Sequence, residues 1–334
     1  MEYACLDAGK VVASLFVLFA HTEPLHEVSP LAGYLVMDGW MRQAVPFFFV
    51  TSGFFLARRW PVDEVLPWRA AWRTVRRLLV LYAVWMCPYV PVMIWSFYEM
   101  GSGWYGALLA TGQEVLFGLY HLWFFPALAE AVLLLAVMSR FLRWRQMLFL
   151  GGVLYAGATV VYALGWLPLD AVYRHYVRGA VFFGLPWVML GVWLSRAGRL
   201  PRRRLFLMYA LGTVLLLCES AGDFYRLQGA TMDLFLSLVV CVPALFLLLR
   251  DAAGGVWLSG HAIFLRRLST LIYGAHAWPV VVLLGVPSVT QWVMGAGVPW
   301  FHFFLMVLSL AWALAVSCLV LRLAARYRWL RWLY

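Results

Sequence analysis

The sequence predicts an all-α integral membrane protein, with about ten transmembrane helices in one bundle. Three observations predict it. The chain of 334 residues is 65% hydrophobic and only 12% charged, whereas a soluble domain carries roughly 45–50% apolar and about 25% charged residues. The apolar residues fall in long blocks, most of them close to the ~20 residues that a helix needs to cross a bilayer. Between the blocks, arginine-rich loops alternate with acidic ones.

The blocks lie at roughly 6–25, 41–57, 76–97, 122–140, 147–166, 181–196, 204–220, 232–250, 267–286 and 300–322. They run from end to end, so residues 1–334 read as a single membrane domain. The stretch 101–120 is Gly-rich and carries Gln113 and Glu114. It reads as an interfacial or re-entrant segment on the outer side, packed against protein because lipid does not tolerate exposed irregular backbone. The N-terminus has no basic run and no small-residue cleavage site, so the first block is expected to stay as a helix.

Orientation follows from the arginines. One set of loops holds Arg58, Arg59, Arg69, Arg73, Arg76 and Arg77, then Arg140, Arg143 and Arg145, then Arg196, Arg199 and Arg202 to Arg204, then Arg250, Arg266 and Arg267, with Arg322 to Arg331 in the tail. The alternate loops hold Glu23, Glu27, Asp38, Glu99, Glu114, Asp170, Glu219 and Asp223. Positive charge marks the cytoplasmic side. Ten spans with that alternation place both termini in the cytoplasm of a bacterial cell, as a multi-pass inner-membrane protein. The net charge of +11 is therefore a topology signal, and no nucleic-acid partner is expected. The five cysteines include no CxxC pair, so neither a disulfide framework nor a metal site is expected.

The first block reads LDAGKVVASLFVLFAHTEPL. Lys10 and His21 are eleven positions apart, which closes to about 20° after three turns and separates them by about 16 Å. Asp7, Lys10, Ser14 and His21 share one stripe. Lys10 is the only lysine among 26 basic residues. Ionisable groups inside a span are costly and point to function. Two readings stand for each end of the stripe. Lys10 is a ligand-binding ammonium, or an anchor paired with Asp7. His21 is a reactive imidazole, or a hydrogen-bonded residue at a helix end. Further candidates are Arg42, Ser52 with Gly53 in VPFFFVTSGFF (a site, or a close helix contact), His121, Glu130, Arg178 and His276. A cavity lined by His, Lys and Arg suits anionic donors and proton transfer, and histidine is the natural base for a hydroxyl.

Four pieces together resemble the membrane-bound acyltransferase 3 family, whose members have a ten-helix core. They are DAGKVVASLFVLFAH, VPFFFVTSGFF (Val45 to Phe55), HLWFFPAL (His121 to Leu128) and IYGAHAWPV (Ile272 to Val280). Lys10 stands where most members carry Arg. With the His-Thr-x-Pro-Leu run that follows, it is most similar to the branch that includes the membrane domain of vancomycin-resistance serine racemases. The resemblance implies an acyltransferase. It would move an acyl group, by default acetyl, from cytoplasmic acyl-CoA to a hydroxyl of an extracytoplasmic glycan or small molecule. Acyl-CoA is then a co-substrate, and no bound cofactor is implied. His21 would be the general base or a covalent acyl carrier. Lys10, Ser14 and Arg42 would contact the donor. Ser52, His121, Arg178, Tyr273 and His276 would contact the acceptor or the oxyanion. The rival expectation is a secondary transporter of a polar metabolite such as an amino acid. Against it stand the missing inverted repeat and the scarcity of carboxylates within spans.

Overall fold

A computed structural model describes residues 3–58, 60, 65–119, 121–164, 179–226 and 233–334. Every regular element among them is helical. Helix α1 spans Ala4–Thr22, with Asp7 in its first turn, where the helix dipole favours a carboxylate. It ends at Glu23, whose left-handed backbone (φ 47°) turns its N–H onto the Phe19 carbonyl. A short helix α2 (Pro30–Gly33), capped by the Ser29 hydroxyl, leads through a π turn (Tyr34–Gly39) and a 3-10 turn (Trp40–Gln43) into α3 (Ala44–Ala57).

Helix α4 (Trp68–Met86) starts eight residues before the expected block and breaks at Pro88 before α5 (Tyr89–Phe97). Arg69, Arg73, Arg76 and Arg77 therefore lie on a helix, exposed on one face, while Ala71 and Val75 are buried on the other. The segment 101–120 forms a helix too, α6 (Gly103–Phe117), which packs on α5. Then follow α7 (Phe124–Met138), α8 (Trp144–Ala163), α9 (Leu185–Leu194), α10 (Arg202–Arg226) and α11 (Leu238–Arg250). The last are α12 (Val256–Ala275), α13 (Trp278–Gly285), α14 (Pro287–Gly295) and α15 (Phe301–Leu323).

Among the described residues, five helical stretches are long and apolar enough to cross a bilayer: α1, α8, α10, α15, and α12 continued by α13. The pair Trp68–Met86 and Tyr89–Phe117, bent by 56°, makes a sixth if it counts as one span. The expected ten spans exceed this number for a physical reason. Apolar blocks near 41–57, 122–140, 181–196 and 232–250 form helices of only 14, 15, 10 and 13 residues. Two of these are preceded by π or 3-10 turns instead of regular helix. All four are largely buried within the bundle.

The core is built around these short helices. The first long helix packs against α12, α3 and α15. Its contacts with α12 advance in step: Asp7 with Arg266, Ser14 with the Ser269 carbonyl, His21 with His276. The two helices thus run parallel. The tightest crossing joins α3 to α9. A Cβ added at Gly53 would stand 2.1 Å from the Val188 carbonyl oxygen, and one added at Gly191 would stand 2.0 Å from that of Val50. Each glycine lets the partner's backbone pass.

Candidate active site

Three histidines from separate parts of the chain meet at the C-terminal end of α1. His21 stacks on His276, with ring centroids 5.6 Å apart and planes 29° apart. His121 lies 4.5 Å from His276 and 6.1 Å from His21, centroid to centroid. Local structure sets each ring. His21 sits in the last turn of its helix, next to the final residue Thr22. His276 caps the C-terminus of α12 at the break before the Trp278–Pro279 start of α13. His121 is carried by a turn between α6 and α7. That turn opens at Gly118, whose φ of 96° only glycine adopts easily, and a Cβ there would strike the Trp123 backbone at 2.3 Å.

The surroundings fix the tautomer of one ring. His276 is fully buried and its Nδ1 lies 2.9 Å from the Tyr273 carbonyl oxygen. Nδ1 therefore carries the hydrogen and donates it, leaving Nε2 as an acceptor with no protein partner. His121 is buried as well, and neither of its nitrogens makes a hydrogen bond of good geometry with the protein. Its backbone is held by the Tyr273 hydroxyl, which donates to the His121 carbonyl. The Tyr89 hydroxyl donates to the Gly274 carbonyl at 3.2 Å and steadies the same turn of α12.

A cavity of about 730 Å³ opens beside the cluster. His21, His121 and Tyr273 line it, with Glu23, Asp38, Arg42 and Glu114. The volume falls within the ~300–1,000 Å³ usual for small-molecule sites. No group of three or more His, Cys, Asp or Glu among the described residues is placed to hold a metal ion. What the arrangement offers is proton transfer in a pocket of mixed polar and apolar lining.

The other sequence candidates are distributed unevenly. Lys10 lies at the opposite end of α1, 3.0 Å from Asp7 and 4.7 Å from the centre of the Phe55 ring. Asp7 is wholly buried and also accepts from Arg266 at 2.9 and 3.2 Å. The Ser14 hydroxyl is fully buried and lies 2.9 Å from the carbonyl oxygens of both Lys10 and Ser269, so it joins α1 to α12. Arg42 lies at the cavity and not beside Lys10, and two carboxylates bind it: Asp38, and Asp233 at 2.6 Å. The Ser52 hydroxyl donates to the Phe48 carbonyl at 2.8 Å, and the Ser52–Gly53 pair belongs to the α3–α9 crossing. Arg178 lies outside the described residues. Glu130 is exposed on α7, away from the cavity.

Asp38 and Asp233 were not singled out as site residues. Asp38 precedes Arg42 by four positions, a helical ion-pair spacing that was legible. Asp233 is distant in the chain and gave no such signal.

Fold and site together define an α-helical, multi-pass membrane protein with a histidine-lined internal cavity. The chain belongs to the acyltransferase 3 family, whose model, described as an acyltransferase domain, matches residues 3–320. It is 27% identical over 259 residues to a serine/alanine racemase of Enterococcus gallinarum, a match covering 72% of this chain and 36% of that protein. Two amino-acid racemases of Enterococcus faecalis are each 23% identical, over 63% and 86% of this chain and 30% and 42% of their own lengths. The chain thus spans less than half the length of these relatives. No solved structure matches significantly.

Proposed function

We propose that the chain is a membrane-embedded O-acyltransferase. It transfers an acyl group, by default acetyl, from cytoplasmic acyl-CoA to a hydroxyl of an acceptor on the outer side of the bacterial inner membrane. His21 acts as the general base. The carrying observation is the clustering of His21, His121 and His276, the first two of them on one cavity, in a chain of an acyltransferase family.

In the proposed step a nitrogen of His21 takes the acceptor's hydroxyl proton as the oxygen bonds to the thioester carbonyl carbon. The C–S bond then breaks, the thiolate leaves with the electron pair, and the imidazolium returns the proton to sulfur. The products are an ester and free CoA. A covalent acyl-histidine would divide the same exchange into two steps. His121 and His276 supply polar contacts to the acceptor or oxyanion. Lys10 at the other end of α1, beside Arg266, is the proposed contact for the anionic part of the donor.

The test is transfer of radiolabel from acetyl-CoA to candidate hydroxyl acceptors by the purified protein in detergent. His21→Ala should abolish transfer with expression and folding intact, and retained activity removes His21 from the mechanism. The rival, transport of a polar metabolite, predicts substrate flux into proteoliposomes without an acyl donor.

A further inference from the structure

A second cavity, of about 550 Å³, lies on the arginine-rich side of the chain, between the start of α10 and the end of α11. Sequence spacing builds its walls. Arg202, Phe206 and Tyr209 recur at the interval of one helix face, and so do Cys241, Leu245, Leu248 and Ala252. The two helices meet closely further along. A Cβ added at Gly212 would stand 2.7 Å from the Cys241 backbone nitrogen. Toward Arg202, about 15 Å back along α10, the cavity lies between them instead.

The two ends of this groove differ in chemistry. Arg202 and Arg203 line it at the helix terminus, and Phe206, Leu245, Leu248 and Leu249 line the rest. Both arginines are exposed, and among the described residues neither guanidinium forms an ion pair or a side-chain hydrogen bond. The neighbouring Arg250 is different. It binds Asp251 at 2.7 Å and the carbonyls of Leu194 and Ala197 at 2.8 Å, so the carboxylate that follows α11 is already engaged. The groove thus sets two uncommitted cations over an apolar wall, on a helix long and apolar enough to cross a bilayer. A small soluble anion would use the cations and leave the leucines bare. A phospholipid uses both, because guanidinium binds phosphate bidentately and the apolar wall takes an acyl chain.

We infer that this groove is a binding site for an anionic glycerophospholipid. The headgroup phosphate lies against Arg202 and Arg203. One acyl chain runs past Phe206, Leu245 and Leu248 toward the Gly212–Cys241 crossing. Net negative charge is part of the specification. A zwitterionic lipid also carries a phosphate, but its own ammonium neutralises it and leaves the two guanidiniums without a counter-charge. The volume falls within the ~300–1,000 Å³ usual for ligand sites. Basic pockets between membrane helices take anionic headgroups for the same electrostatic reason. The inference is independent of the acyl-transfer reading, since it needs no acyl donor and no histidine.

The test is lipid binding by the full chain in neutral detergent, without acyl-CoA. Phosphatidylglycerol and phosphatidylcholine with matched acyl chains are titrated, and affinity is read from thermal shifts and from native mass spectrometry of bound lipid. Phosphatidylglycerol should bind at least about fivefold more tightly. Arg202→Gln combined with Arg203→Gln should bring the two lipids within about twofold of each other. Arg202→Lys combined with Arg203→Lys should keep most of the preference, because an ammonium still meets phosphate as a point charge. Arg69→Gln combined with Arg73→Gln removes the same charge from the exposed face of α4 and should leave the preference unchanged. Glycerol 3-phosphate, which has the phosphate without the chains, should not displace the lipid when added in excess. Equal binding of the two lipids by the parent chain overturns the inference. So does a preference that survives loss of Arg202 and Arg203, or that falls as far with the α4 pair. Displacement of the lipid by glycerol 3-phosphate or acetyl-CoA overturns it too, and makes the groove a site for soluble anions.

Discussion

The two ends of α1 treat buried polarity in opposite ways. At the N-terminal end every charge has a partner. Asp7 is enclosed by Lys10 and Arg266, and Ser14 is spent on two carbonyls. At the C-terminal end the polar groups gather beside a cavity. Neither nitrogen of His121 nor the Nε2 of His276 makes a hydrogen bond of good geometry with the protein there, and Arg42 lies between Asp38 and Asp233. Both ends carry a desolvation cost. The first offsets it by pairing, which fixes α1 on α12. The second leaves it outstanding, which a folded protein tolerates where a ligand will complete the set. One helix thus holds a staple and a site about 16 Å apart.

The largest effect should come from the open end. His21→Ala removes the proposed base, so transfer should fall by about 10²–10⁴-fold, the usual range for general-base catalysis. The melting temperature should hardly move, because the ring borders a cavity and not a packed core. A large loss of stability would show that His21 belongs to the staple class instead, and the contrast between the ends would fail.

The next effect belongs to the closed end. Asp7→Ala leaves Lys10 and Arg266 facing each other without their shared carboxylate. Removing one partner of a buried ionic group costs about 3–5 kcal/mol. Denaturation of the purified protein should show a loss of that order. Activity per folded molecule should change far less than in His21→Ala. A stability loss under about 1 kcal/mol would mean that water already reaches this end.

The sequence revealed the two ends more readily than what encloses them. Lys10 and His21 share a stripe because helical periodicity alone relates residues eleven apart. His121, Tyr273 and His276 were visible as polar groups in apolar surroundings, but their meeting is tertiary, and no local spacing encodes it. The contacts of Ser14 and Arg42 were hidden for the same reason. Their partners, the Ser269 carbonyl and Asp233, lie 255 and 191 residues away. The Ser52–Gly53 pair was ambiguous until α9 supplied Gly191 and Val188 as the other half of the contact. The early start of α4 was legible, in contrast. Arg69, Arg73, Arg76 and Arg77 follow the spacing of one helix face, yet their charge drew them into a loop reading. Family membership follows from the ordered motifs, which do not depend on these contacts.

A change at neither end provides the control. Gly53→Ala pushes a methyl into the Val188 backbone at the α3–α9 crossing. Overpacking of this kind costs about 1–3 kcal/mol. Thermal denaturation should register the loss, while transfer per folded molecule stays near that of the parent. A selective loss of activity would tie this crossing to the cavity and blur the division between staple and site.

The smallest effect is the most informative about Lys10. Its ammonium shares Asp7 with Arg266, so Lys10→Ala still leaves that carboxylate one cation, and the fold should survive. A phosphate contact predicts a specific kinetic pattern. KM for acetyl-CoA should rise about 3–10-fold in Lys10→Ala with kcat nearly unchanged, because uniform binding is lost and transition-state stabilisation is not. Lys10→Arg keeps the charge and should stay within about twofold of the parent, although guanidinium and ammonium differ in geometry. If both variants lower only the melting temperature and leave KM alone, Lys10 is part of the staple and the donor is held elsewhere.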